Sequence, residues 1–426
     1  MAWHASFVAL VAILSRCSAW VVTTSFAEKN DVSALLIAKD FGVAAGGFIN
    51  FDVKISKTFS SPPYYLVVVG DRTNGKWFDH VLTLSPDEYG PAAICVAPST
   101  ARFEVTESGS FNFSVAQYDL YNAYLLVCHQ GELYGGGEVT STFINLDPEG
   151  RLTQHLSIQL SMLPSLYMLM AAVYVGFAVA WVVEIARLRL TAHLRQHVLP
   201  VHYLCLAVIL VKMIDALVRA TYFHRQSKEG QNQGKLSTAE VFCGDIYRVV
   251  FMFTLLLISL GWGFIRPSLR LKESWLVSVT IGFYACVSLL QSRCDTYEVA
   301  WCNKIGLMEY AIRSLIMLTT VVAINFNISH IRFCIQLPWT SSSALEYLKL
   351  SRYLSLRMTF LAYLLLPTVL IVVNSTLLSW EYQWIHLGME EFITMIILAN
   401  LGLIFAPFDP WLLTRAFDHS LEQENS

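Results

Sequence analysis

Seven apolar stretches of membrane-crossing length follow one another between Leu163 and Phe408. Nothing else in the chain restricts its fold as much. In hydrocarbon every backbone amide and carbonyl needs an internal partner, so each stretch has to be a helix. They lie at about 164–185, 199–220, 242–264, 275–292, 305–326, 358–378 and 389–408. Each is close to the roughly 20 residues that cross a hydrocarbon core of about 30 Å. Composition agrees, since 55% of the 426 residues are hydrophobic and only 14% are charged. The net charge of −3 gives no general attraction for nucleic acid, and that partner class is excluded.

The first 19 residues carry an apolar run from Phe7 to Leu14 and end in Cys17-Ser18-Ala19. That pattern reads as a signal peptide cleaved before Trp20. Residues 20–150 then alternate short β-rich runs with breakers. Strands are predicted at Phe48–Ile55, Tyr64–Val69, Arg102–Val105, Phe111–Gln117, Tyr124–Cys128 and Val139–Ile144. Pro62-Pro63, Thr73-Asn74-Gly75 and Ser85-Pro86 are among the breaks that suit a small antiparallel sandwich. Phe111, Phe113 and Val115 alternate with Asn112, Ser114 and Ala116, so one face of that strand is turned inward. Asn112 opens an Asn-Phe-Ser sequon on the outward face, a candidate glycosylation site.

The reading is therefore an all-β luminal sandwich over 20–150, an all-α seven-helix bundle over 151–408 and a cytosolic tail over 409–426. Basic residues set the orientation. With the sandwich in the lumen, the cytosolic loops hold Arg187, Arg189, Arg195, Arg266, Arg270, Lys272, Arg332, Lys349 and Arg352. The luminal loops hold only Arg225, Lys228, Lys235, Arg293 and Lys304, as the positive-inside rule requires.

Lumen-facing cysteines can form disulfides. Within the sandwich, Cys95–Cys128 is the only local pairing. Near the bundle, a staple from Cys243 to the loop holding Cys294 and Cys302 competes with a local Cys294–Cys302 bridge; the expectation taken forward is Cys243–Cys302.

Enzyme chemistry has little support, and no cofactor motif appears. His193 and His197 have a metal-compatible spacing without a third ligand nearby, and read as solvated loop residues. Glu390-Glu391 are read as an acidic first turn of the seventh helix, complementing its dipole. Tyr347-Leu-Lys-Leu350, Tyr353-Leu-Ser-Leu356 and Asp409-Pro-Trp-Leu-Leu413 resemble sorting signals, but such patterns are short and apolar packing against the bilayer is the preferred reading of each. Such signals would engage cytosolic trafficking machinery.

The sharpest site expectation is charge inside the bundle. Lys212, Asp215 and Arg219 are three and four residues apart and share a helix face. Arg248, Glu309 and Arg313 fall at a similar depth on the third and fifth helices. Ionisable groups at membrane depth cost at least roughly 2.5–3.5 kcal/mol each and face an interior or water. These six residues suggest a polar cavity open to the lumen, suited to an anionic head group of a membrane lipid or an acidic cargo segment. The competing reading is a pair of structural ion pairs, Asp215–Arg219 and Glu309–Arg313.

Several stretches carry a family likeness. Asn145-Leu-Asp-Pro-Glu-Gly-Arg-Leu152 leads into Leu163-Pro164, Tyr167, Met170, Tyr174 and Trp181. His202 precedes the run Ile209 to Leu217, and Ser259-Leu-Gly261-Trp-Gly263-Phe-Ile-Arg266-Pro267 ends the third helix. With Gly109 to Phe113 and Tyr124 to Cys128, this order resembles the GOLD-domain seven-transmembrane-helix (GOST) family. The resemblance implies a Golgi or endosomal protein acting in sorting or trafficking. It also implies a luminal GOLD-like domain that contacts a cargo or partner protein, and a bundle that accepts lipid or ligand. An orphan receptor, or a cation channel or lipid carrier, is the alternative.

Overall fold

Alternation of side chains builds the N-terminal domain. The structure is a computed structural model and describes residues 21–26, 34–55, 64–72, 99–127, 137–146, 153–190, 199–230, 234–294, 302–336 and 343–406. One sheet contains β1 (Val21–Phe26), β3 (Phe48–Ile55), β6 (Gly109–Ser114) and β8 (Gly137–Leu146) in the order β1-β8-β3-β6. The short β9 (Thr153–Gln154) pairs with the end of β8. The second sheet contains β2 (Ala34–Val43), β4 (Tyr64–Gly70), β5 (Ala101–Val105) and β7 (Asp119–Val127) in the order β2-β7-β4-β5. The ladders are antiparallel.

In β3 the inward positions are Ile49, Phe51 and Val53, while Asn50, Asp52 and Lys54 are turned out. The same two-residue period buries Val139, Ser141 and Phe143 in β8. The sheets meet through Phe41 and Phe143, whose rings stack with centroids 4.4 Å apart. Asn112 is exposed on β6 opposite Asn50, as the strand pattern predicts. The sandwich expected from the sequence is present, with β1 and β2 as additional strands.

Seven helices follow: α1 (Leu163–Leu190), α2 (Pro200–Glu229), α3 (Gly234–Ser259), α4 (Leu271–Cys294), α5 (Cys302–Gln336), α6 (Ser343–Thr376) and α7 (Gln383–Ile404). Each contains a segment long and apolar enough to cross a membrane. They form a ring in chain order that closes between α7 and α1, and α3 also packs on α5. Their outward faces remain apolar; on α1, Met168, Leu169, Val179 and Val183 are exposed. A helix apolar all round is suited to lipid on one side and a core on the other.

The helices extend past their apolar spans, which corrects the capping role of Glu390-Glu391 and agrees with apolar packing at Tyr353-Leu-Ser-Leu356. α7 begins at Gln383, so Glu391 is a buried mid-helix residue and Glu390-Glu391 do not cap it. α6 begins at Ser343, which puts both tyrosine tetrapeptides inside a helix; Tyr353 is fully buried and donates to the Ile258 carbonyl at 2.8 Å. The staple Cys243–Cys302 is not formed, because Cys243 is a free thiol on α3. Cys302 is disulfide-bonded, and its partner lies outside the described side chains. The leader 1–19, Cys95, Cys128, His193, His197 and the tail from Asp409 also lie outside the described residues.

Candidate functional site

Two features join the sandwich to the bundle. Register shifts in β2 and a positive φ of 52° at Asp40 turn the strand so that the Gly42 amide reaches Ser157 Oγ at 2.9 Å. Gly42 is in close contact with Trp380, just ahead of α7. Beside it, Arg72 donates to Glu381 Oε1 at 2.9 Å and lies 4.5 Å from the centre of the Tyr118 ring. Tyr118 in turn packs on Trp380 with centroids 6.3 Å apart. The second feature is at the end of α2, where the His155 amide donates to the Ser227 carbonyl at 3.0 Å.

Within the sandwich-side half of the bundle, the six charges expected to share one site divide into two groups. The first contains Lys212, Asp215 and Arg219, which do share a face of α2. Lys212 Nζ donates to Asp215 Oδ2 and to Glu391 Oε1 of α7, both at 2.9 Å. Arg219 Nε donates to Asp215 Oδ1 at 3.0 Å and lies 3.5 Å from Glu240 of α3. Its Nη1 donates to Tyr167 of α1 at 3.2 Å. Gly244 on α3 leaves room for the guanidinium, since a Cβ there would be 2.9 Å from Arg219 Nη2. Lys212 also sits 4.6 Å from the centre of the Tyr247 ring, a cation–π contact in an apolar setting.

Lys212 is 3% exposed and Asp215 is fully buried. Removing such charges from water is tolerated only where partners and hydrogen bonds replace the solvent. Here each cation faces carboxylates, with Lys212 and Arg219 set against Asp215, Glu240 and Glu391. Glu391 and Glu240 were missed as members. Extending the helical reading of α7 back through Trp384 would have moved Glu391 away from the cap.

The second group is built differently. Arg248 pairs with Asp245 three residues earlier on α3, a spacing visible in the sequence. Ser292 of α4 also donates to Asp245. Arg313 of α5 makes no ion pair among the described residues, so of the two ion pairs of the competing reading Asp215–Arg219 is formed and Glu309–Arg313 is not. Arg313 Nη2 donates to the Tyr363 hydroxyl of α6 at 3.4 Å. The Tyr284 hydroxyl of α4 is buried and has no hydrogen-bond partner among the described residues. A guanidinium has five donors, so Arg313 retains several for an incoming acceptor.

These helices have a counterpart among known proteins. An Arabidopsis thaliana protein named Candidate G-protein coupled receptor 6 is 24% identical over 276 residues, covering 63% of this chain. The match spans 61% of that protein's length. The model of the GOST seven transmembrane domain matches residues 162–410, from the turn before α1 to just past α7. More than half of the chain, including every helix that carries the two charged groups, therefore falls within one family model, and the chain belongs to the GOST seven-transmembrane family.

Proposed function

We propose that this protein supports protein sorting or membrane trafficking in Golgi or endosomal membranes. In this reading the sandwich lies in the lumen and contacts a cargo or partner protein. The bundle holds a lipid or ligand, and the C-terminal end faces the cytosol and its transport machinery. Binding and relay are the roles assigned, with no catalysis.

The observation that supports it is the unbroken contact path from sandwich to bundle interior. Arg72 and Tyr118 hold Glu381 and Trp380, and the helix that follows carries Glu391 to Lys212. A partner bound on the sandwich therefore has a mechanical route to α7 and α2. The greater number of basic residues in loops away from the sandwich supports the orientation.

Deleting residues 20–150 tests the reading, with residence and partners scored by proximity labelling from the lumen. Loss of the partner set is expected. An unchanged partner set and location, or steady-state residence at the plasma membrane, would overturn it. The name of the Arabidopsis relative favours a second reading, a receptor whose N-terminal domain takes a ligand. A ligand-dependent response from a cytosolic effector would select that reading instead.

A further inference from the structure

We infer that Asn112 carries an N-linked glycan, and that this glycan guards the free edge of β6 against strand addition by a second copy of the chain. The inference rests on the luminal placement of the sandwich proposed above, and its test separates the two.

Three observations carry it. β6 is a terminal strand of its sheet and, among the described residues, pairs only with β3. Phe111 and Phe113 on it are only partly buried, so a strand added along β6 would cover more of both rings. An open, uncharged edge of this kind is a template for association. The second observation is that two other edges are protected. β5 exposes Arg102 and Glu104, and the backbone of β2 is met by the side chains of Asn145, Ser157 and Gln159. β6 exposes Ser110, Asn112 and Ser114 and has no charged residue. The third is the place of the sequon on this edge. Asn112 and Ser114 are two residues apart on one outward face, and the Asn112 carboxamide makes no hydrogen bond among the described residues.

The two remaining sequons lie in the bundle. Asn327 is 3% exposed and uses its Nδ2 on the Ser259 carbonyl, and Asn374 stands in the last turns of α6 within a membrane span. A glycan on this chain is therefore assigned to Asn112. Its Nδ2 forms a bond to the anomeric carbon of an oligosaccharide supplied on a polyprenyl diphosphate. The bond from that carbon to the diphosphate oxygen breaks, the diphosphate leaves with the electron pair, and Nδ2 gives up one proton. The bulky, solvated group then stands over the edge that a second strand needs.

The full chain is expressed in eukaryotic cells, purified in detergent and treated with a glycosidase that releases N-linked glycans. Wild type is expected to lose mass, and Asn112→Gln and Ser114→Ala to lose none. Arg102→Asn/Glu104→Thr places a sequon of the same spacing on β5 and reports the compartment. A glycan on that variant when wild type has none overturns the site alone; no glycan on either overturns the luminal placement as well. Sedimentation tests the guard. Asn112→Gln is expected to form larger species than wild type at the same concentration. Asn112→Lys returns a charge to the bare edge and is expected to keep the wild-type size. Asn112→Gln of wild-type size, or both variants associating alike, overturns the guard.

Discussion

Lys212 on α2 and Glu391 on α7, 179 positions apart, meet through a 2.9 Å hydrogen bond inside the bundle. Lys212 also holds Asp215, so a single ammonium neutralises carboxylates from two helices. This makes Lys212 costly to replace.

Lys212→Met leaves Asp215 dependent on Arg219 and Glu391 with only a more distant Arg219. Breaking a buried pair from one side costs about 3–5 kcal/mol. We expect Lys212→Met to lower the unfolding midpoint steeply in nanodiscs. The double variant Lys212→Met/Glu391→Met removes the pair from both sides and retains Asp215–Arg219. It is expected to be more stable than Lys212→Met alone. The reverse order would show that Glu391 is held well enough by Arg219 without Lys212.

Gly42 sets the junction between sandwich and bundle. A Cβ there would be 2.8 Å from Trp380 Cζ3 and 3.0 Å from Ser157 Oγ. Gly42→Ala therefore has to displace the indole or break the Ser157 bond. Overpacking of this kind costs about 1–3 kcal/mol. Hydrogen exchange at 379–382 should accelerate while exchange in β3 and β8 is unchanged. Protection at 379–382 equal to wild type would show that the contact is not a clamp.

Asp119 gives the sandwich a pH dependence. Its carboxyl is pushed up from the ordinary value by burial, an effect partly opposed by the Arg72 and Leu120 amides that donate to it. Because the folded-state value is raised, the fold favours the protonated form. The stabilising contribution is complete below the unfolded value and is lost as pH rises through the folded one. Asp119→Asn removes this titration. The stability difference, variant minus wild type, should therefore increase as pH rises through the carboxylate range. A difference independent of pH would contradict the assignment.

Much of this architecture was legible because it follows from periodicity. The alternation in β3 and β8 placed those strands closely, and seven apolar runs gave seven helices. Helix ends were not legible from hydropathy, which reports the lipid-facing stretch while backbone bonding continues beyond it. α2 runs through Arg225 and Lys228 to a left-handed Gly230, and α7 begins before its most apolar part. That error concealed Glu391. Lys212, Asp215 and Arg219 were legible as one face because helix spacing is local. Their partners were not, since pairing of α2 with α7 depends on how the ring closes. The same reasoning suggested Glu309–Arg313 from spacing alone, but Arg313 turns to the Tyr363 hydroxyl of α6 instead.

The last prediction concerns the end of α3 farthest from the sandwich. A helix leaves its final carbonyls without intrahelical partners, and buried ones need donors from elsewhere. Asn327 of α5 donates Nδ2–H to the Ser259 carbonyl at 2.6 Å. Tyr353 of α6 donates to the neighbouring Ile258 carbonyl at 2.8 Å. The two carbonyls differ in their remaining support. Ile258 also accepts the Gly261 amide at 3.0 Å, in a turn that a φ of 85° at Gly261 makes possible. Tyr353→Phe therefore costs only the net worth of a hydrogen bond, about 0.5–1.5 kcal/mol. Asn327→Ala leaves the Ser259 carbonyl buried without that donor, at about 1–3 kcal/mol. Asn327→Ala should thus be the more destabilising, with faster hydrogen exchange at 260–266. The two costs should not add, because both act on one helix end. Equal costs that add in full would show that α5 and α6 hold α3 independently.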